Sequence, residues 1–201
     1  MLSGLLLDWG GVLTTSVLDA LRSFCAREGL EEDAVTRRFR DDPHSRQLLV
    51  ALETGALAES EFELRFAEVL GVAPAGLIER MFADSRPDEE MLAAVASARA
   101  AGVRTGLVSN SWGAGRYDRE MLARLFDGVV ISGEVGVRKP QPRIYELAAA
   151  AVGLGPQDCV FVDDLRVNVE GARALGMAAV HHRSATETIA TLEALLGRAL
   201  R

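Results

Sequence analysis

Residues 5–16 read LLLDWGGVLTTS, and this stretch decides how the rest of the sequence is interpreted. Its three leucines form an apolar run that ends abruptly in a carboxylate, Asp8, with Gly10 two positions later. An apolar run without alternating polar residues is typical of a parallel strand that is buried on both faces. The stretch therefore predicts a buried first strand that carries a charged side chain at its carboxyl end.

The composition is that of a globular protein without an obvious nucleic-acid or membrane surface. The chain has 201 residues, 49% of them hydrophobic and 25% charged, which suffices for one buried core and a smaller second lobe. A formal net charge of −7 argues against nucleic acid or an anionic membrane as a partner. The two cysteines lie far apart, and no signal peptide is recognisable. We therefore expect a cytoplasmic protein, and the oligomeric state stays open.

Short valine-rich runs alternate with helical stretches over the second half of the chain. Strands are predicted over residues 103–108, 128–131, 159–162 and 177–181, and helices over residues 87–101, 116–125, 142–152, 168–175 and 186–200. Strand–helix–strand alternation indicates a parallel sheet with helices on both faces. The predicted fold class is therefore α/β, with a doubly wound, Rossmann-like parallel sheet.

Residues 16–84 differ from the rest of the chain because they contain no convincing strand. Apolar side chains recur there at helical spacing, as in Phe62, Phe66 and Val69, which predicts four or five helices. An insertion at the carboxyl end of a strand is well placed to cover a site there. We therefore interpret residues 16–84 as a helical cap, and residues 1–15 and 85–201 as the Rossmann-like catalytic core.

Polar side chains stand where the predicted strands and turns end. They are Asp8 after the first strand, Ser109 and Asn110 after the second, Lys139 in a Lys-Pro turn, and Asp163 and Asp164 after the run CVFV. The carboxyl ends of parallel strands meet at one edge of a sheet, so these residues are expected to share one site. Three neighbouring carboxylates would repel one another without a cation, and oxygen-only ligands favour Mg²⁺.

Lys139 and its neighbour Arg138 differ in what they suggest. The 22 lysine and arginine residues include a single lysine, Lys139, and an ammonium is a compact charge suited to a phosphate or a carboxylate. Arg138 could pair with an acidic residue of the cap, and we interpret such a pair as a surface ion pair that contributes little stability.

Four motifs, in this order, resemble those of the haloacid dehalogenase-like hydrolase superfamily: DWGGVLT, LVSNS, VRKPQPRIY and VFVDDLRVNVEGARALG. The resemblance covers nearly the whole chain, because residues 16–84 are similar to the small helical cap that many members carry. It implies a Mg²⁺-dependent hydrolase, most often a phosphatase of small phosphorylated metabolites that works through an aspartyl-phosphate.

The resemblance implies catalytic and phosphate-binding roles for matching positions. Asp8 would be the nucleophile that attacks phosphorus, and Lys139 would neutralise the nucleophile and the bound phosphate. Ser109 would donate to a phosphoryl oxygen alongside the backbone N–H groups of Trp9 and Gly10. Asn110, in the same motif as Ser109, is a further candidate for contact with the substrate.

The resemblance also implies a set of metal ligands. Mg²⁺ would be bound by a carboxylate oxygen of Asp8, the backbone carbonyl of Gly10 and the carboxylate of Asp164. Asp163 would lie beside or behind the ion. Asn168 matches a supporting polar position that orients the acidic loop.

Gly10 departs from the family's pattern. Phosphatases of the superfamily usually carry a second aspartate there, which protonates the leaving oxygen and then activates water. General acid–base catalysis typically contributes a factor of ~10²–10⁴, so efficient hydrolysis of ordinary alkyl phosphates is not expected. Three functions stay open: a phosphatase for good leaving groups or with another acid, such as a water or His44 of the cap; a non-catalytic phosphate-binding relative; and a 2-haloacid dehalogenase.

Overall fold

The computed structural model describes residues 2–113 and 117–200, and within them five parallel strands form one sheet. The strands are β1 (Gly4–Leu7), β2 (Arg104–Ser109), β3 (Gly128–Ile131), β4 (Cys159–Asp163) and β5 (Ala178–His181), in the order β3-β2-β1-β4-β5. This confirms the predicted α/β class with a doubly wound, Rossmann-like sheet. The register aligns Leu7 with Leu107 on one side and with Val162 on the other, so the three strands end within two residues of one another.

Helices cover both faces of the sheet. Those that follow β1 and the insertion are α6 (Glu89–Ala100), α7 (Arg119–Leu125), α8 (Ser132–Val135), α9 (Pro142–Ala151), α10 (Arg166–Ala174) and α11 (Ala185–Leu196). The short helix α8 was not predicted. The predicted start of α7 at position 116 lies outside the described residues. Within residues 2–113 and 117–200, no helix combines the length and apolar character needed to cross a membrane.

The side chains of β1 explain why its sequence lacks polar alternation. Leu5 and Leu7 pack into the cluster that α6 and α11 form on one face, and Leu6 packs into the cluster beneath α9 on the other. All three leucines are completely buried. The central strand is therefore apolar on both faces, as expected for a sheet covered by helices on both sides.

Five helices lie between β1 and α6 and have a hydrophobic cluster of their own. They are α1 (Val17–Arg27), α2 (Ala34–Asp41), α3 (Pro43–Glu53), α4 (Glu59–Leu70) and α5 (Leu77–Met81), and together they form what we call the helical insertion. Trp112, from the loop after β2, packs edge-on against Phe62 and Phe82 of this cluster. The segments entering and leaving the insertion pair through an antiparallel bridge between Thr14 and Pro87. The division into a core and a cap with boundaries at residues 16 and 84 stays a prediction.

The insertion offers a matched test of its own packing, because α4 has a buried and an exposed face. Phe66 is completely buried and stacks on Phe39 and Phe62, whereas Leu64 of the same helix is 56% exposed. We expect Phe66→Ala to lower the free energy of unfolding by about 3–5 kcal/mol. The control Leu64→Ala should change it by less than about 0.5 kcal/mol. Urea titrations followed by circular dichroism would measure both, and equal losses would contradict the packing described.

Candidate active site

Three aspartates meet at the carboxyl end of the central strands. Asp8 directly follows β1, and Asp163 and Asp164 lie at the end of β4, the strand paired with β1. One carboxylate oxygen from each lies within 4.8 Å of the others. Their convergence follows from the parallel register, because Leu7 and Val162 are paired and the residues after them leave the sheet together.

Lys139 brings its ammonium group into this cluster. Its Nζ atom lies 2.7 Å from Oδ1 of Asp8 and 2.7 Å from Oδ2 of Asp163, and the side chain is completely buried. Burial on its own lowers the pKa of a lysine, but the charges of Asp163 and Asp8 outweigh it and raise the pKa of Lys139 above its usual value. Lys139 is therefore a permanently charged ammonium between two carboxylates.

The carboxylate of Asp163 is already saturated with hydrogen bonds. Its Oδ1 accepts from the backbone N–H of Leu165 at 2.8 Å, and both of its oxygens lie within hydrogen-bond distance of Asn168 Nδ2, at 3.0 and 3.1 Å. Its Oδ2 also accepts from Lys139. Because Asp163 is fully buried and fully bonded, its position suits holding Lys139 better than binding a ligand in the cavity.

Asp164 approaches the backbone of the loop after β1. A Cβ atom at Gly11 would lie only 2.4 Å from Oδ2 of Asp164, and Gly11 has a φ of +75°. Both the backbone conformation and the close approach therefore require glycine here. The backbone carbonyl of Asp164 accepts a hydrogen bond from Nε2 of His181 at 2.9 Å. The requirement for glycine at position 11, unlike the departure at Gly10, was not predicted from the sequence.

With all three carboxyl groups ionised, the cluster carries more negative than positive charge. Burial raises the pKa of Asp8 to about 8, although Lys139 opposes the rise, and the charge of Asp163 adds to it. Burial and the charge of Asp163 likewise raise the pKa of Asp164 to about 6. Three carboxylates and one ammonium favour a further cation, and an oxygen-only donor set fits a hard ion such as Mg²⁺.

Asn110 holds Lys139 through its main chain. The Nδ2 group of Asn110 donates to the carbonyl of Lys139 at 3.2 Å, and its Oδ1 accepts from the N–H of Lys139 at 2.8 Å. This two-way clamp fixes the loop that carries the ammonium to the end of β2. The amide of Asn110 is thus engaged with the protein, and its contact with a substrate stays a prediction.

Ser109 forms a hydrogen bond with Tyr117, a residue outside the four sequence motifs. Its Oγ lies 2.8 Å from the hydroxyl of Tyr117, and burial raises the pKa of Tyr117 to about 12. The Tyr117 ring packs edge-on against Trp9 at 6.2 Å. The backbone N–H of Trp9 donates to Oδ1 of Asp8 at 2.7 Å. Tyr117 therefore remains a neutral hydrogen-bond partner at physiological pH.

A cavity of about 420 Å³ opens above these residues. Eight of the nine predicted site residues line it, namely Asp8, Trp9, Gly10, Ser109, Asn110, Lys139, Asp164 and Asn168, whereas Asp163 lies behind the wall. The size is within the range of small-molecule sites, roughly 300–1,000 Å³. His44, the candidate acid of the insertion, is exposed and does not line the cavity.

The opposite wall comes from the insertion, where a buried glutamate forms an ion pair with the partly buried Arg138. Glu53, the last residue of α3, has its Oε2 atom 2.6 Å from Nε of Arg138, and Glu53 is only 5% exposed. Burial raises the pKa of Glu53 to about 7 even though Arg138 lowers it. The backbone carbonyl of Glu53 also accepts from the hydroxyl of Ser132. Arg138 does pair with an acidic residue of the insertion, but the pair lines the cavity with Glu53 buried and Arg138 partly buried, which corrects the surface interpretation.

Comparisons with known proteins agree with this architecture. A family model described as haloacid dehalogenase-like hydrolase matches residues 2–176. A phosphoserine phosphatase from Thermus thermophilus is 34% identical over 180 residues, which cover 86% of this chain and 66% of that protein. A bifunctional epoxide hydrolase 2 from Rattus norvegicus is 32% identical over 114 residues, 53% of this chain and 21% of that protein. The chain thus spans less than two thirds of each of these relatives.

Solved structures share the fold. A HAD-like family hydrolase from Porphyromonas gingivalis superimposes with a TM-score of 0.73 at 22% identity, covering 98% of both chains. A HAD family enzyme from Bacteroides thetaiotaomicron, in complex with magnesium and inorganic phosphate, gives a TM-score of 0.66 at 20% identity and covers 91% of this chain and 95% of the other. Together with the family match, the four motifs and the aspartate cluster show that the chain belongs to the haloacid dehalogenase-like (HAD) hydrolase family.

The raised pKa of Glu53 makes the stability of the protein depend on pH. The folded protein holds the Glu53 proton more tightly than the unfolded chain does, so this contribution is complete below pH 4.5 and is lost as the pH rises through 7. We expect the free energy of unfolding to fall by about 3 kcal/mol more in the wild type than in Glu53→Gln between about pH 4.5 and pH 8.5. Urea titrations at the two pH values would measure it.

The exposed Glu146→Gln provides the control for this comparison and should retain the wild-type dependence on pH. Identical pH profiles for the wild type and Glu53→Gln would show that Glu53 does not hold the extra proton.

Proposed function

We propose that this protein is a Mg²⁺-dependent phosphatase that hydrolyses small phosphorylated metabolites through an aspartyl-phosphate on Asp8. The proposal depends on one observation above all: the Asp8 carboxylate, beside the Lys139 ammonium at 2.7 Å, lines a cavity of metabolite size. Among the relatives, a glyceraldehyde 3-phosphate phosphatase from Methanopyrus kandleri also carries a phosphatase name, at 31% identity over 51% of this chain. We further propose that residues 16–84 are the cap of this enzyme.

Asp8 acts as the nucleophile in this proposal. A carboxylate oxygen of Asp8 forms a bond to phosphorus, the bond from phosphorus to the ester oxygen breaks, and its electron pair leaves with that oxygen. Water then attacks the aspartyl-phosphate, which releases inorganic phosphate and restores the carboxylate. Lys139 reduces the repulsion between Asp8 and the phosphate dianion, because its charge lies beside the attacking group.

The remaining polar groups position these two side chains. Asp163 and Asn110 hold Lys139 from two sides, and Asn168 holds Asp163. Tyr117 can donate to Ser109, which frees the hydroxyl proton of Ser109 for a phosphoryl oxygen. Mg²⁺ bound to Asp8, Asp164 and the Gly10 carbonyl would supply positive charge to the phosphate oxygens.

Loss of the nucleophile tests this assignment directly. Asp8→Asn removes the anionic attacking oxygen while it preserves side-chain size, so we expect hydrolysis of p-nitrophenyl phosphate to fall by at least ~10³-fold. EDTA should abolish the wild-type activity. The exposed Asp19→Asn serves as the control and should retain full activity.

Two other results would favour the alternatives that the sequence leaves open. Metal-independent release of chloride from 2-haloacids would identify a dehalogenase. Phosphate binding without turnover of the reactive donor acetyl phosphate would identify a non-catalytic relative.

The position of the missing acid is filled by a side chain of the insertion. A Cβ atom at Gly10 would lie 2.8 Å from Cγ2 of Val17, the first residue of α1, and the backbone of Gly10 lies outside the left-handed region. The obstacle to an aspartate at position 10 is therefore the contact with the Val17 side chain and not the backbone conformation. The absence of an acid and the presence of Val17 together favour substrates whose leaving oxygen departs without a proton.

This arrangement predicts a gain of function. We expect Gly10→Asp combined with Val17→Ala to raise kcat for alkyl phosphates by at least about tenfold, because general acid catalysis typically contributes ~10²–10⁴. Val17→Ala alone is the control, and p-nitrophenyl phosphate, with its good leaving group, should gain less. An equal gain for both substrates would argue against restored acid catalysis.

A further inference from the structure

The walls of the cavity away from the aspartates are largely apolar. The insertion contributes Val17, Leu18, Leu49 and Phe82 to the lining, and the loop after β2 contributes Trp112. Apolar walls offer no hydrogen-bond partners to a hydroxylated or charged leaving group. They favour a leaving group that buries apolar surface against them. The organic part of the substrate must occupy this region, since the phosphate is directed to Asp8 and Lys139.

The lining includes an exposed apolar rim. Among the described residues, five large hydrophobic side chains are exposed, namely Leu18, Leu64, Val135, Leu165 and Val167. Three of them, Leu18, Leu165 and Val167, line the cavity, and we call these three the rim. Exposed apolar side chains gathered at one opening are typical of a ligand-binding surface. The rim therefore extends the apolar region outward from the cavity.

The cations that line the cavity are both paired with carboxylates. Within the described part of the chain these are Lys139, which lies between Asp8 and Asp163, and Arg138, which pairs with Glu53. Arg46 and Arg65 of the insertion, and Arg86 after it, do not line the cavity. A carboxylate on the organic part would thus find no free cation there and would have to compete with the buried Glu53 for Arg138.

We propose that the substrates are phosphomonoesters whose organic part is apolar and uncharged, and that Glu53 determines this specificity by occupying Arg138. The proposal rests on the phosphatase function proposed above. Glu53 is anchored for this role, because the hydroxyl of Ser132 donates to its backbone carbonyl. Removal of the Glu53 charge would leave Arg138 free to bind an anionic group. Glu53→Gln removes this charge with little change of side-chain volume, so it should shift the substrate preference toward anionic organic groups.

Three aryl phosphates test the specificity of the wild type. 4-Butylphenyl and 4-(3-carboxypropyl)phenyl phosphate have side chains of similar length and leaving groups of similar acidity, and phenyl phosphate lacks a side chain. With Mg²⁺ at about pH 8.5, where Glu53 is ionised, we expect kcat/KM for the butyl ester to exceed that for phenyl phosphate by about tenfold. It should exceed that for the carboxypropyl ester by at least about tenfold.

Variants of the ion pair and of the rim separate the two parts of the proposal. Glu53→Gln should raise the ratio of kcat/KM for the carboxypropyl ester over the butyl ester by about tenfold, and adding Arg138→Gln should cancel the gain. Glu61→Gln, at a partly exposed glutamate of the insertion outside the cavity, is the control and should leave the ratio unchanged. Val167→Ser, on an exposed side chain, should lower the advantage of the butyl ester over phenyl phosphate.

Calorimetry with the matching benzylphosphonates measures binding specificity separately from hydrolysis. The butyl phosphonate should bind at least about tenfold more tightly than the carboxypropyl phosphonate, whether or not the esters are hydrolysed. Selective binding without turnover would refute the phosphatase and support the specificity. Turnover or binding that does not distinguish the butyl from the carboxypropyl compound, or a ratio that Glu53→Gln leaves unchanged, would overturn the proposal.

Discussion

The buried ammonium of Lys139 is the constraint on which the other features depend. It lies 2.7 Å from carboxylate oxygens of both Asp8 and Asp163, in a place without solvent. Breaking such a buried pair by removal of one partner typically costs about 3–5 kcal/mol, because the remaining charges stay uncompensated. The clamp from Asn110 and the hydrogen bonds from Asn168 to Asp163 hold this arrangement from outside. One cation thereby fixes the ends of β1, β2 and β4 to one another.

Much of this architecture could be predicted from sequence because its causes are local. The leucines of β1 indicate burial on both faces without any knowledge of their partners, and they are indeed buried on both. Once the strands are parallel, the residues that follow them must meet at one edge of the sheet. That is why Asp8, Asp164 and Lys139, distant in sequence, could be assigned to one site before their distances were known.

The features that sequence reasoning missed depend on pairs from distant segments. The need for glycine at position 11 comes from Asp164, more than 150 residues later, and nothing in the local sequence announces that approach. Glu53 and Arg138 are ordinary surface residue types, and only the folding of the insertion against the sheet brings them together and buries Glu53. Asn110 lies at a strand end like its neighbour Ser109. Only the structure shows that its side-chain amide forms hydrogen bonds with the backbone of Lys139. That strand ends converge on one site was predictable, whereas the particular side-chain partners and the burial of Glu53 with Arg138 were not.

The placement of the two tryptophans gives the protein a built-in optical reporter. Trp9 and Trp112 are the only tryptophans of the chain, and both line the cavity. They face different surroundings, since Trp9 packs against Tyr117 and Trp112 packs among the phenylalanines of the insertion. Tryptophan emission from the unlabelled protein therefore comes entirely from this one place, and single Trp→Phe replacements divide the signal between the sheet side and the helical side.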